Sequence, residues 1–193
     1  MAGGHEVAGE IEHAGHSNKR IALLIAVLAL FLAFASAGGK SAQTTAIGDN
    51  VEASNLWAFF QAKTIRITTL RTAAEALGVE TAAENPAAKT AKEKLIDSWQ
   101  KTAARYDSEP ETQEGRKELS KRAKLSEERR DTALAKYHHF EIAAAALEIG
   151  IVLASATIIT GMIALAWIAG GLCLVGLTFM GIAVLAPHAV HLL

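Results

Sequence analysis

Polar side chains all but vanish from two stretches of this chain, and between those stretches they return at regular intervals. The first stretch, Ile21 to Ala37, runs about seventeen residues without a charge and follows Lys19 and Arg20. At about 1.5 Å per residue, that is near the lower limit for a helix crossing the hydrocarbon core. The second, Ile142 to Ala186, is about twice the length of one crossing and carries one carboxylate, Glu148, and no base. Gly170-Gly171 lies near its middle, where small residues permit a turn. A helical hairpin closed by Pro187 is therefore expected.

From Lys40 to Phe140 the pattern becomes amphipathic. Ala53, Leu56, Phe60, Ile67, Leu70, Ala74 and Leu77 are spaced to share one helix face around Lys63, a heptad-like seam. Asp49 and Glu52 suit the start of this helix, although it can equally run straight on from the first apolar stretch, and Gly78 suits its end. Asn85-Pro86 then supplies a cap and a first-turn proline for a second helix, with Ala91, Leu95, Trp99, Ala103 and Tyr106 as its apolar face. Ser108 and Glu111 have capping-box spacing, so a third helix is expected to start there. It would run on into the second apolar stretch.

The fold class this predicts is an all-α membrane protein: three transmembrane helices, with a long-helix, coiled-coil-like soluble domain between the first and second. The expected divisions are a flexible His- and Glu-containing tail over 1–18, membrane helices over 19–39, 141–166 and 172–187, the soluble domain over 40–140, a turn over 167–171, and a short tail over 188–193. A signal peptide cleaved after Ala37 is the rival reading of the first stretch, because Ala35-Ser36-Ala37 resembles a processing site. The long, partly acidic leader argues for retention of Met1 to Ala37.

Hydrophobic residues make up 51% of the 193 positions while charged residues make up 20%, and the segregation described above reconciles the two values. A net charge of −1 leaves no basic footprint for nucleic acid. The single cysteine, Cys173, excludes an intrachain disulfide. Lys19 and Arg20 outnumber Lys40 across the first membrane helix, which favours a cytoplasmic N-terminus, an exported helical domain and the bacterial inner membrane. Arg122, Lys124, Arg129, Arg130 and Lys136, close to the second membrane helix, argue the other way.

Candidate chemistry is sparse. Ala22, Ala26, Ala29, Ala33 and Ser36 put small residues on one face of the first membrane helix, and Ala146, Gly150, Ala154, Thr157 and Gly161 do so on the second. Such faces let backbones approach, although alanine is common in apolar helices anyway. Glu148 lies seven residues inside the membrane from Glu141, where a carboxylate serves either an ion path or, as the blander reading, helix contacts. Trp57, Phe60, Gln61 and Lys63 form a partner-binding candidate whose bland reading is core. His5, His13, His16, His138, His139, His188 and His191 offer no three converging ligands by spacing, so no metal and no cofactor is expected. Phosphate loops, nucleophile elbows and paired cysteines do not occur, and an enzyme is not expected.

The block Glu52-Ala53-Ser54-Asn55-Leu56-Trp57-Ala58-Phe59-Phe60-Gln61-Ala62-Lys63, within Asn18 to Ala73, resembles an uncharacterised family of bacterial membrane proteins, domain of unknown function 4337. The resemblance implies no activity. It implies basic residues at the turn between the last two membrane helices, and this chain has none there. The expected role is a membrane-anchored scaffold or accessory subunit. Its expected partners are the lipid bilayer and either a second copy or another membrane protein. The alternative is a small oligomeric channel or transporter using Glu148.

Overall fold

The computed structural model describes residues 3–80 and 85–189, with side chains for 19–79 and 85–189. The described residues form four helices and no strand: α1 (Gly3–Glu80), α2 (Pro86–Asp107), α3 (Arg116–Thr160) and α4 (Ile163–Leu185). The protein is all-α. Three helices are long and apolar enough to cross a membrane, over Lys19–Val79, Arg116–Thr160 and Ile163–Leu185. The flexible tail expected over 1–18 falls on residues 1 and 2 and on side chains that lie outside the described residues, as does His191.

Helix boundaries follow local chemistry. No proline interrupts α1, so its hydrogen bonding continues where apolar sequence gives way to amphipathic sequence. α2 opens as expected: the Asn85 side chain accepts the Ala87 N–H at 3.1 Å, and Pro86 occupies a first-turn position with no donor to lose.

The expected start of α3 at Ser108 needs correction. Ser108 instead caps the C-terminus of α2, and α3 begins at Arg116. Glu118, rather than Glu111, reaches back: it accepts the Ser108 hydroxyl at 2.8 Å and the Glu109 N–H at 3.1 Å. Gly115 lies under this clasp, where a Cβ would strike the Glu118 carboxylate and the Glu109 nitrogen.

The hairpin turn also needs correction. Gly170 and Gly171 lie inside α4, and the break falls at Gly161-Met162. Gly161 adopts φ 71°, a left-handed conformation that costs glycine nothing. Its N–H bonds the Thr157 carbonyl at 2.9 Å, closing α3. A paired glycine is merely compatible with a turn, whereas the glycine after a β-branched run ends the helix. Counting from Ile142, the break gives apolar segments of 19 and 23 residues, each about one bilayer core in length.

The chain divides into two compact units. One comprises Met1–Ala46 and Asp131–Leu193; the other is Ile47–Arg130. In the first, α1 and α3 run antiparallel, with Leu28 against Gly150 and Phe140 against Gly38. α4 returns along α3, bringing Gly176 against Leu147. Leu28, Ala35, Ala143, Leu147, Ala154 and Ala169 are fully buried there. In the second unit Leu56, Leu119 and Ala123 form the core, flanked by Trp57 and Phe60.

Two glycine substitutions should have opposite effects. A Cβ on Gly176 would lie 2.8 Å from Leu147 Cγ and 3.3 Å from the Ala143 carbonyl, so Gly176→Ala should destabilise by about 1–3 kcal/mol. At Gly48 nothing lies within 4 Å, and Gly48→Ala should stabilise α1 by about 0.5–1 kcal/mol. Thermal unfolding followed by circular dichroism in mild detergent checks both.

Candidate functional site

The two small-residue faces have different fates. On α3, Ala146, Gly150, Ala154 and Thr157 are buried, and Gly150 receives the Leu28 side chain at 3.3 Å from its would-be Cβ. On α1, Ala22, Ala26, Ala29, Ala33 and Ser36 are all exposed. The sequence suggests that the two small faces meet. The structure corrects this: α1 turns Ile21, Leu28 and Ala35 into the core it shares with α3 and α4, with Phe31 packed against that core and Leu28 meeting Gly150 on α3. A small surface packs better on large side chains than on another small surface, which would leave voids unless the backbones touched. Gly161 is exposed at the turn.

Trp57 and its neighbours belong to the core of the helical unit. The Trp57 indole N–H donates to Glu127 Oε1 at 2.8 Å, and the ring meets Phe60 edge-on with centroids 5.3 Å apart. Lys63 interrupts the apolar seam by placing its ammonium 4.7 Å from the centre of the Tyr106 ring. Gln61 is exposed, so the four residues do not form one exposed patch. The seam positions Ala53, Leu56, Ile67 and Ala74 are buried, while on α2 Ala103 is buried and Leu95 is 42% exposed.

The opposite face of α1 carries a feature that the sequence reading missed. Val51, Asn55, Ala58, Ala62, Ile65, Thr69, Thr72, Ala76 and Val79 step alternately four and three residues, and every one is exposed and uncharged. The Thr69 hydroxyl donates to the Ile65 carbonyl at 2.9 Å, so its hydrogen-bonding need is met within the helix. The spacing was legible, but the buried seam and this one have the same period, and only burial separates them.

Glu148 is exposed on α3 beside exposed Ile149 and Val152. It does not point into a path inside the single chain. Among the described residues the histidines do not converge. His139 is buried and shares a 3.0 Å hydrogen bond with the Pro187 carbonyl, His188 pairs with Thr132 at 3.1 Å, and His138 faces Glu141 at 3.9 Å. No group of three metal-ligating side chains gathers among the described residues.

Charged side chains cluster where α2 meets α3. Asp107 pairs with Arg116 at 2.6 Å and with Lys117 at 2.9 Å. The Lys117 contact, with Arg116 beside it, holds the Asp107 carboxyl below its ordinary range against the opposing effect of burial. The Ser108 hydroxyl and the Glu109 N–H lower Glu118 in the same way. These contacts fasten a joint; they do not form a reaction centre.

Because folding lowers Asp107 from its ordinary 3.8, its contribution is complete above that value and is lost as the pH falls through the lower, folded-state value. Amide exchange over 108–115, corrected for intrinsic rates, should rise on acidification below about pH 4. In Asp107→Asn it should already be raised at neutral pH.

No curated protein and no solved structure matches the chain. The family described as Domain of unknown function (DUF4337) matches residues 17–186, which include all three apolar spans and the helical unit between the first two, and the chain belongs to that family.

Proposed function

We propose that this protein is a membrane-anchored helical scaffold that associates with further copies of itself in parallel, through the exposed uncharged face of α1. The observation that carries the reading is the run of nine exposed positions from Val51 to Val79 at alternating four- and three-residue steps. That is the spacing of a coiled-coil seam, and the partner-facing seam within the chain is already occupied. The choice of a second copy as occupant rests on the membrane. Copies anchored in one bilayer project α1 in the same direction, so a parallel register is available to them without rearrangement.

In that register the positions flanking the seam meet as Ser54 with Phe59, Gln61 with Arg66, Thr68 with Ala73 and Glu75 with Glu80 of the other copy; the last, at the end of the seam, is a like-charge pair that opposes pairing there. Asn55 lies at a seam position where a buried amide fixes register at some expense in stability. Two features of the apolar spans support the same reading. The small-residue face of α1 from Ala22 to Ser36 is uncovered in a single chain, and such faces suit close helix contacts in lipid. Glu148 is uncovered too, and a charge inside the hydrocarbon costs up to about 3 kcal/mol, a cost that polar contacts from a neighbouring copy would relieve.

The same exposed Glu148 favours the second reading, an oligomeric channel whose path forms only between copies. For location we propose the inner membrane of a bacterium with the helical unit on the periplasmic side, from the Lys19-Arg20 pair preceding the first span.

In a Cys173→Ser background, Ala62→Cys should form a covalent dimer on mild oxidation in native membranes, while Lys94→Cys on α2 should not. A chain that stays monomeric at position 62, or that links at 62 to a different protein, overturns self-association. Asn85→Cys should be labelled by an impermeant thiol reagent in intact spheroplasts; labelling only after lysis reverses the topology. Wild-type vesicles should pass no cation or proton current, and a current lost in Glu148→Gln would replace the scaffold with the channel.

A further inference from the structure

Where the first two apolar spans meet water, α1 and α3 enclose an open recess of about 320 Å³. That volume is at the low end of the range for small-ligand sites, about 300–1,000 Å³. Its polar lining is Ser36, Lys40 and Gln43 from α1 with Tyr137 and Glu141 from α3, and Phe140 and Ala144 add apolar surface. The two helices come close here because Gly38 faces the Phe140 ring, where a Cβ would lie 2.7 Å from it. Gly39 meets Phe140 Cβ at 3.4 Å in the same sense. Lys40 follows the first apolar stretch and Glu141 precedes the second, so the recess lies beside the ends of both.

Its charges are of both signs and do not neutralise one another. Lys40 makes no ion pair among the described residues, although Glu141 lines the same recess. Glu141 Oε1 accepts the Tyr137 hydroxyl at 3.0 Å, and its Oε2 faces His138 at 3.9 Å, beyond hydrogen-bond length. The carboxylate is therefore oriented by a neighbour and retains accepting capacity, since two carboxylate oxygens offer about four lone-pair sites. A separated cation and anion in one recess, with apolar side chains toward the hydrocarbon, match a ligand that carries the opposite pair of charges on one short group and has an apolar tail.

We propose that this recess binds the headgroup of a phosphoethanolamine lipid, with the phosphate against Lys40 and the primary ammonium against Glu141. The phosphate suits Lys40 as a point charge, with Ser36 and Gln43 as neutral donors beside it. The ammonium, two methylenes away, supplies N–H donors to Glu141, which a trimethylated headgroup lacks. Phe140 and Ala144, which also line the recess, offer apolar surface to the glycerol and the first acyl carbons. The site is complete in one chain and does not depend on self-association.

The test is native mass spectrometry of the full chain released from detergent, with phosphatidylethanolamine, phosphatidylglycerol and phosphatidylcholine supplied in equal amounts. Wild type is expected to retain phosphatidylethanolamine at least fivefold over either competitor. Lys40→Ala should abolish that retention and Lys40→Arg should restore it. Glu141→Gln should keep phospholipid binding but bring the three headgroups within twofold of one another. Circular dichroism identical to wild type establishes that each variant is folded. Should a variant fail that check, soluble glycerophosphoethanolamine added to wild type decides instead: displacement of the bound lipid supports the site. Equal retention of the three lipids by wild type, or retention unchanged in Lys40→Ala, overturns it. Soluble glycerophosphoethanolamine bound more tightly than phosphatidylethanolamine would assign the recess to a water-soluble ligand and overturn the lipid assignment.

Discussion

A backbone in hydrocarbon has no water to accept its N–H groups or donate to its carbonyls, so every such group must be paired within the helix. This requirement shapes the whole chain. A helix that enters the bilayer must already be formed at its edge, and nothing obliges it to stop on the way out. α1 and α3 therefore continue from apolar into amphipathic sequence without a break. Where the chain does break, a specific piece of backbone chemistry causes it: the Asn85-Pro86 cap, the clasp over Gly115, and the left-handed Gly161.

The two compact units are held together by different physics even though both are helical. In the Ile47–Arg130 unit the buried face of α1 is withdrawn from water, and burial there yields about 25 cal/mol per Å2 of apolar surface. Amphipathic order therefore matters, and Leu56, Leu119 and Ala123 are joined by polar fastenings such as Trp57 to Glu127. Among the apolar spans, lipid tails are as apolar as leucine, so hydrophobicity does not tell one neighbour from another. Fit decides instead. Leu28 against Gly150 and Leu147 against Gly176 are contacts of shape, large against small, repeated where each pair of helices crosses.

That difference explains what could be read in advance. Amphipathic periodicity in a water-exposed segment is a direct record of burial, and the Ala53 to Leu77 seam was legible from it. So were the α2 cap and the number of apolar crossings. Within the spans every face is apolar, so the sequence could not say which side of α1 meets α3, and the small face from Ala22 to Ser36 is not that side. The turn at Gly161 was hidden for a related reason: Gly170-Gly171 is the more conspicuous pair, yet only the glycine that ends a β-branched run takes the left-handed conformation. At Ser108 two glutamates competed for one role, and the distant Glu118 performs it because the chain reverses first.

The alanines and threonines of the exposed α1 face carry a physical consequence of their own. Methyl groups are small, so leaving them in water costs little, and bringing two such faces together gains correspondingly little per residue. A seam of leucines would lock two helices together; in the proposed self-association this one would hold them loosely and let them part. Confinement of α1 by an anchored span would compensate, because tethering raises the effective concentration of neighbouring helices without adding any contact. The extent of pairing would then track how densely the chain populates its membrane, making the surface a gauge of its own abundance.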